Sequence, residues 1–197
     1  MNQGQASFVN YENADFYGPD KEFDTDRAKQ AYYDMMAYHK YPIVPRLKGE
    51  EFWAIDFGLG AFTEVGMAGI FWVNNQEDNY FGHEIYLLPG QMIPEHCHGR
   101  TDVAGPKMEA WQVRHGSVHI YATGEPTPGV TERIPPIHRD IAVARKETEL
   151  MPGEIGQLNQ AGAMHWMLGG PQGAIVTEYA TYHDGDGLRF THPEIKF

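Results

Sequence analysis

The sequence predicts one all-β domain, an antiparallel sandwich or barrel, preceded by a single helix. Three observations carry that reading. Beyond residue 50 the chain is a succession of short segments rich in β-branched and aromatic residues. Gly or Pro punctuates almost every join between them, 22 glycines and 13 prolines in the whole chain, as the tight turns of an antiparallel fold require. Ahead of residue 50 only one stretch carries the 3.6-residue apolar period of a helix.

Taken in order, the first 20 residues read as an arm whose order depends on packing against something else. From Asp24 to His39, the positions Ala28, Ala31, Tyr32, Met35, Met36 and His39 follow the i, i+3, i+4, i+7 rule; Asp24, Thr25 and Asp26 stand ready as N-caps, and Pro42 and Pro45 forbid a long continuation. Strands are then expected in FWAIDFG (52–58), AGIFWVN (68–74), HEIYLLPG (83–90), QMIPEHCH (91–98), MEAWQVRHG (108–116), SVHIYATG (117–124), TELMPGEIGQL (148–158), MHWMLGG (164–170) and GAIVTEYATYH (173–183). The Pro- and Gly-rich stretch after Gly124 reads as a surface loop, because strands resume beyond it. Residues 1–50 are thus expected to pack as arm and helix on a barrel formed by residues 51–197.

Composition narrows the function. A chain of 197 residues is sized for one domain with a developed core. A formal net charge of -12 without a Lys/Arg cluster excludes a phosphate-backbone partner, since nucleic-acid binding needs a basic footprint. One cysteine, Cys97, makes no internal disulfide, and the N-terminus lacks a signal-peptide pattern. No apolar run approaches the ~20 residues of a membrane span. The expectation is a cytoplasmic protein with no nucleic-acid or membrane partner.

The stretch PEHCHGR (94–100) carries the first chemistry. Side chains two apart on a strand share a face, so His96 and His98 converge while Cys97 points away. A lone His-x-His pair is more often an ordinary sheet surface, so its surroundings decide. Gly90 stands six residues before His96, Glu109 follows, Gly116 lies seven residues beyond Glu109, and a Gly-x-x-His run places His165 later. This spacing resembles the motifs of the cupin family. The resemblance implies a double-stranded β-helix, a jelly-roll barrel, here with an N-terminal helical extension. It also implies a metal held by His96, His98, Glu109 and His165. Three imidazoles and one carboxylate suit one divalent ion, Mn first, with Zn, Fe, Co and Ni also accommodated. Ten residues separate His98 from Glu109, where many cupins have three or four, so the segment 99–106 is an insertion expected at the barrel rim, where it helps define the substrate.

Lys107 lies two positions before Glu109, on the metal's face of an extended strand. It reads either as a snorkelling surface lysine or as a proton carrier whose pKa a neighbouring cation lowers. Glu178 sits in a strand that otherwise reads as buried, as an ion-paired edge residue or as the second half of an acid–base pair. PEHCHGR with Lys107 and Glu109, the run ELMPGEIGQLNQAGAMHW, and VTEYATYHDGDGLRFTHPEI together resemble the D-lyxose isomerase family of cupins over roughly the last two-thirds of the chain. That resemblance implies an aldose–ketose isomerase acting on an unphosphorylated sugar such as D-lyxose or D-mannose through a cis-enediol, with Lys107 and Glu178 moving protons. Trp166, Asp186 and Arg189 are candidate sugar contacts or, equally, rim packing and a surface ion pair. An iron-dependent cupin dioxygenase and a non-catalytic metal- or sugar-binding cupin are the rival functions. Cupins commonly dimerise through their sheets, and AGIFWVN and FWAIDFG are offered as such a face. His83, His115, His119, His138 and His192 lack a partner at ligand spacing and are read as ordinary histidines, His39 as helix packing; His183 lies just past a strand that lines the pocket.

Overall fold

The structure, a computed structural model, describes residues 10–197. Helix α1 spans Thr25–Tyr38, and nine strands follow: β1 (Trp53–Ile55), β2 (Met67–Asn75), β3 (Tyr80–Leu87), β4 (Met92–His98), β5 (Glu109–Ala122), β6 (Lys146–Leu150), β7 (Ile155–Gln157), β8 (His165–Ala180) and β9 (Leu188–Phe190). A single helical turn, Val130–Arg133, interrupts the long loop between β5 and β6. Residues 1–9 of the expected arm lie outside the described residues.

Asp24 is the N-cap of α1, its carboxylate accepting from the Arg27 N–H at 2.9 Å, an arrangement worth about 1 kcal/mol. The stripe Ala28, Ala31, Tyr32, Met35 and Met36 is fully buried, each large side chain contributing roughly 1.5–3 kcal/mol by leaving water. It packs with Phe52, Ala68, Ile70, Tyr86 and Ile175 from the outer face of the sheet. Inside that layer the Tyr32 hydroxyl donates to Gln91 Oε1 at 2.6 Å, and Gln91 Nε2 donates to the Phe62 carbonyl at 2.6 Å, so the buried amide is satisfied. The sheet face offered above as a dimer contact is therefore covered by the chain's own helix. Trp53 of the same segment points the other way, into the barrel.

The strands form one curled antiparallel sheet in the order β1-β2-β3-β8-β4-β9, with β5 pairing β8 on its other side and carrying β6 and β7. Two pairs of expected strands are single long strands: 108–116 and 117–124 make β5, and 164–170 and 173–183 make β8. The joins are glycines in left-handed conformation, Gly116 and Gly173, both at φ 70°. A Cβ on Gly116 would stand 2.0 Å from the Gly173 carbonyl oxygen, and one on Gly173 would stand 2.6 Å from the Leu87 carbonyl oxygen, so the bend leaves no room for a side chain at either position. That double bend lets the two ends of β8 pair with β3 and with β4 and so curls the sheet around the cavity. The FWAIDFG segment shortens to Trp53–Ile55 because Phe57 and Gly58 turn the chain at φ 56° and 70°. The TELMPGEIGQL segment breaks at its Pro-Gly turn into β6 and β7, and β9 was hidden in a short polar tail.

Candidate active site

The barrel interior is apolar at one end and polar at the other, where β3, β4, β5 and β8 each turn inward residues onto one cavity. Trp53, Phe57, Phe71, Phe81, Trp111 and Phe190 wall it. Its polar floor comes from alternate positions on neighbouring strands. His96 and His98 share a face of β4, His96 stands opposite His165 in the β4–β8 ladder, and Glu109 opens β5.

The three imidazoles bring ligand atoms within 4.8 Å of one another. His96 Nδ1 donates to the Pro94 carbonyl at 2.8 Å and His165 Nδ1 to the Ala163 carbonyl at 2.9 Å. Both rings are thereby set in the tautomer whose Nε2 carries a lone pair into the cavity. Burial, then the neighbouring His165 and His98, hold His96 well below the ordinary histidine value, and burial also lowers His165. Glu109 closes the set: its oxygens lie 3.3 Å from His98 Nε2 and 3.2 Å from His165 Nε2, and Oε2 is buried with no hydrogen-bond partner. Burial pushes the Glu109 carboxyl up, but His165 and Lys107 outweigh it and hold it well below the usual carboxylate range. The Nε2 lone pairs of His96 and His165 and the unpartnered Oε2 of Glu109 face one another and form a hole for a cation. The donor set fits a divalent metal with three nitrogens and one oxygen.

Beside this set lies a hydrogen-bonded chain. Lys107 Nζ donates to Glu109 Oε1 at 2.9 Å and to Glu178 Oε1, and it lies 4.4 Å from the Phe81 ring centroid. Lys107 is only 3% exposed, so it is no snorkelling surface residue. Burial pulls its ammonium toward neutrality, but Glu178 and Glu109 more than offset this and raise its pKa. For Glu178 burial raises, and Lys107 more than reverses; the carboxyl is held below its ordinary value, helped by a hydrogen bond from His83.

Four ligand candidates and the Lys107–Glu178 pair therefore meet in one cavity. The expected sugar contacts fare differently. Trp166 lines the cavity, stacked on Tyr121 at 3.6 Å; its Nε1 donates to the Ala144 carbonyl at 2.7 Å, so what it offers the cavity is its ring. Asp186 and Arg189 are exposed on the turn before β9 and on β9 itself. Arg189 donates to the carbonyls of Asp186 and Leu188 at 2.7 Å and stands opposite Cys97 on the outward parity, so neither reaches the cavity. Segment 99–106 contributes no lining residue; Thr101 Oγ1 donates to Asp184 at 2.7 Å and Gly99 N to the Gly187 carbonyl at 2.8 Å, so it buttresses the turn before β9.

Two further histidines line the cavity. His83, read from the sequence as an ordinary histidine, has Nδ1 3.1 Å from Glu178 Oε2; His183, placed just past a pocket-lining strand, stacks on Phe81 at 5.2 Å, its pKa pushed down to about 3 by burial and then by Lys107. The signal for His83 was parity: Phe81, His83 and Ile85 share one face of β3, and two of the three are plainly apolar.

No family model matches the chain. A Thermosediminibacter oceani protein named D-lyxose/D-mannose isomerase is 32% identical over 176 residues, 89% of this chain and 95% of its own. A Cohnella laeviribosi D-lyxose ketol-isomerase is 35% identical over 141 residues, 72% of this chain and 76% of its own. Among solved structures, the L-ribose isomerase of Cellulomonas parahominis superposes with a TM-score of 0.66 at 16% identity, covering 86% of this chain and 91% of that one, which shows a shared fold.

Proposed function

The chain belongs to the D-lyxose ketol-isomerase family of sugar isomerases, and on that premise we propose that it interconverts an unphosphorylated aldose and its ketose, with D-lyxose and D-mannose the first candidates, by proton transfer beside a divalent ion. The observation that carries the reading is the junction of two devices in one buried cavity: an electron-rich set of three histidines and Glu109, and a Lys107–Glu178 pair directly against it.

When bound at His96, His98, Glu109 and His165, a divalent ion, Mn(II) first, supplies a Lewis acid for the sugar's carbonyl and adjacent hydroxyl oxygens. The remaining chemistry belongs to the side chains. Lys107 already donates to two carboxylates, so it enters as a hydrogen-bond donor and stabilises negative charge developing on the sugar oxygens. Glu178 has lone pairs to offer and enters as the base. It takes the proton from C2 of the open-chain aldose, the charge passing to O1 as a cis-enediolate; the C2 hydroxyl proton shifts to O1, and Glu178 returns its proton to C1 as the C2 carbonyl forms, completing the ketose. The aromatic walls exclude water and strengthen each of these interactions.

Among the described residues that line the cavity Lys107 is the only Lys or Arg, and its charge is already balanced by two carboxylates. A phosphorylated sugar would bring a dianion with no cation to receive it, so neutral sugars are favoured. The test is turnover of D-lyxose and D-mannose, with ketose as the product measured, on metal-stripped protein before and after Mn2+ is added. Ketose formation restored by the metal, without oxygen consumption, supports the reading. Absence of ketose from every neutral aldose tried, with metal bound, overturns it.

A further inference from the structure

His83 and His183 line the cavity with no task in that scheme, and His83 touches a group that has one. It faces Glu178 across the β3–β8 ladder. Lys107 holds one oxygen of the Glu178 carboxylate and His83 Nδ1 the other, at 3.1 Å. A carboxylate gripped at both oxygens by different donors is fixed in rotation, so its free lone pairs point one way only.

The ring of His83 is held as firmly as the carboxylate it grips. It stacks on Trp53 at 5.6 Å and 28°, and meets Phe71 edge-on at 4.9 Å and 88°. With Nδ1 donating, Nε2 is the lone-pair side, and it is buried without a partner against Gly69. A Cβ on Gly69 would come within 2.3 Å of that nitrogen and 2.7 Å of Trp53. Gly69 sits in the middle of β2, paired with Trp53 and Ile85, without the positive φ that favours glycine, so backbone geometry does not ask for it. Room for the His83 ring does.

We infer that His83 is a positioning residue that aims the Glu178 carboxylate at the sugar's C2 hydrogen, and that Gly69 is kept bare to let it. The inference rests on the reading of Glu178 as the base and adds the residue that orients it. Proton transfer is steep in geometry: a misplacement of about 1 Å costs on the order of 10²-fold.

The experiment uses metal-loaded wild type, His83→Phe, His83→Asn and Glu178→Gln, each measured for kcat, KM, bound metal and the kinetic isotope effect with the C2-deuterated aldose. His83→Phe keeps an aromatic ring in the stack and removes the donor; His83→Asn returns an N–H near the Nδ1 position. The expected result is a kcat roughly 10- to 100-fold lower in His83→Phe, with KM and metal content held, a larger isotope effect as C–H cleavage becomes more rate-limiting, and partial recovery of both in His83→Asn. A kcat that falls only with the folded or metal-loaded fraction, at an unchanged isotope effect, overturns the inference, as does wild-type behaviour of His83→Phe. Gly69→Ala pushes the ring from its far side and is expected to show the same raised isotope effect. Should His83→Phe not fold, an unchanged isotope effect in Gly69→Ala overturns the inference. Retained turnover in Glu178→Gln overturns the base assignment itself, and so separates the two failures.

Discussion

Glu84 and Glu178 are neighbours across one pair of strands, 7% and 4% exposed, yet they face opposite sides of the sheet and have opposite fates. Glu84 points to the helix side and accepts from the Tyr41 hydroxyl at 2.6 Å, Trp72 Nε1 at 2.9 Å and the Thr177 hydroxyl at 2.9 Å. Its partners are neutral donors. Glu178 points inward and is held by Lys107 and His83, both able to exchange protons. Burial alone does not make a carboxylate a catalyst; the partners decide whether its proton affinity is spent on architecture or left available for chemistry.

The sharpest way to break this contrast is on the inner side. Glu109→Ala removes the oxygen ligand and leaves the Lys107 ammonium one carboxylate short, and near-complete loss of both bound metal and turnover is expected; metal-dependent turnover at wild-type level would show the ligand set to be wrong. Glu178→Gln is next, with kcat lower by on the order of 10² to 10⁴, the usual worth of a positioned base, and with metal content retained. On the helix side the same class of change should touch stability and spare chemistry. Glu84→Ala strands three donors and is expected to cost roughly 2–4 kcal/mol, a fall in Tm on the order of 5–10 °C for a chain this size, with kcat per folded molecule unchanged. Tyr41→Phe removes one of the three donors and should lower Tm by about 2–4 °C. A large kcat defect in either variant would erase the distinction between the two faces.

The smallest effect is expected away from both carboxylates. Burial, and then His192, push the pKa of His138 down to about 4, and neither ring nitrogen has a hydrogen-bond partner. A histidine whose folded pKa lies below its unfolded one resists protonation only while folded. Its contribution is complete above about pH 6.5 and is lost as pH falls toward 4. Thermal melts from pH 7 to pH 4 should therefore show a steeper loss of Tm for wild type than for His138→Gln; parallel profiles would mean that His138 is not the titrating group.

Much of the site was legible because it follows local periodicities. Parity placed His96 with His98 and Lys107 with Glu109, and the helix period picked out the five residues that α1 buries. The glycine punctuation told of turns, yet it could not tell a turn from a bend within a strand, which is how β5 and β8 came to be cut in two. Asp186 and Arg189 had the right chemistry and the wrong place, Asp186 on the turn before β9 and Arg189 on its outward parity, since β9 was too short and too polar to announce itself as a strand.

By itself the sequence determined which side chains share a face of each segment, that three histidines and one glutamate stand at cupin-like spacing, and that the chain is acidic and mostly β. Only the tertiary structure decided which faces meet. His83 lies 95 residues from Glu178, and nothing local to either marks the pairing. It exists because two glycines bend β5 and β8 across each other, bringing β3, β4 and β5 against the same long strand. Register between distant strands is set by the packing of whole layers, and that information is spread over the chain and written in no single motif.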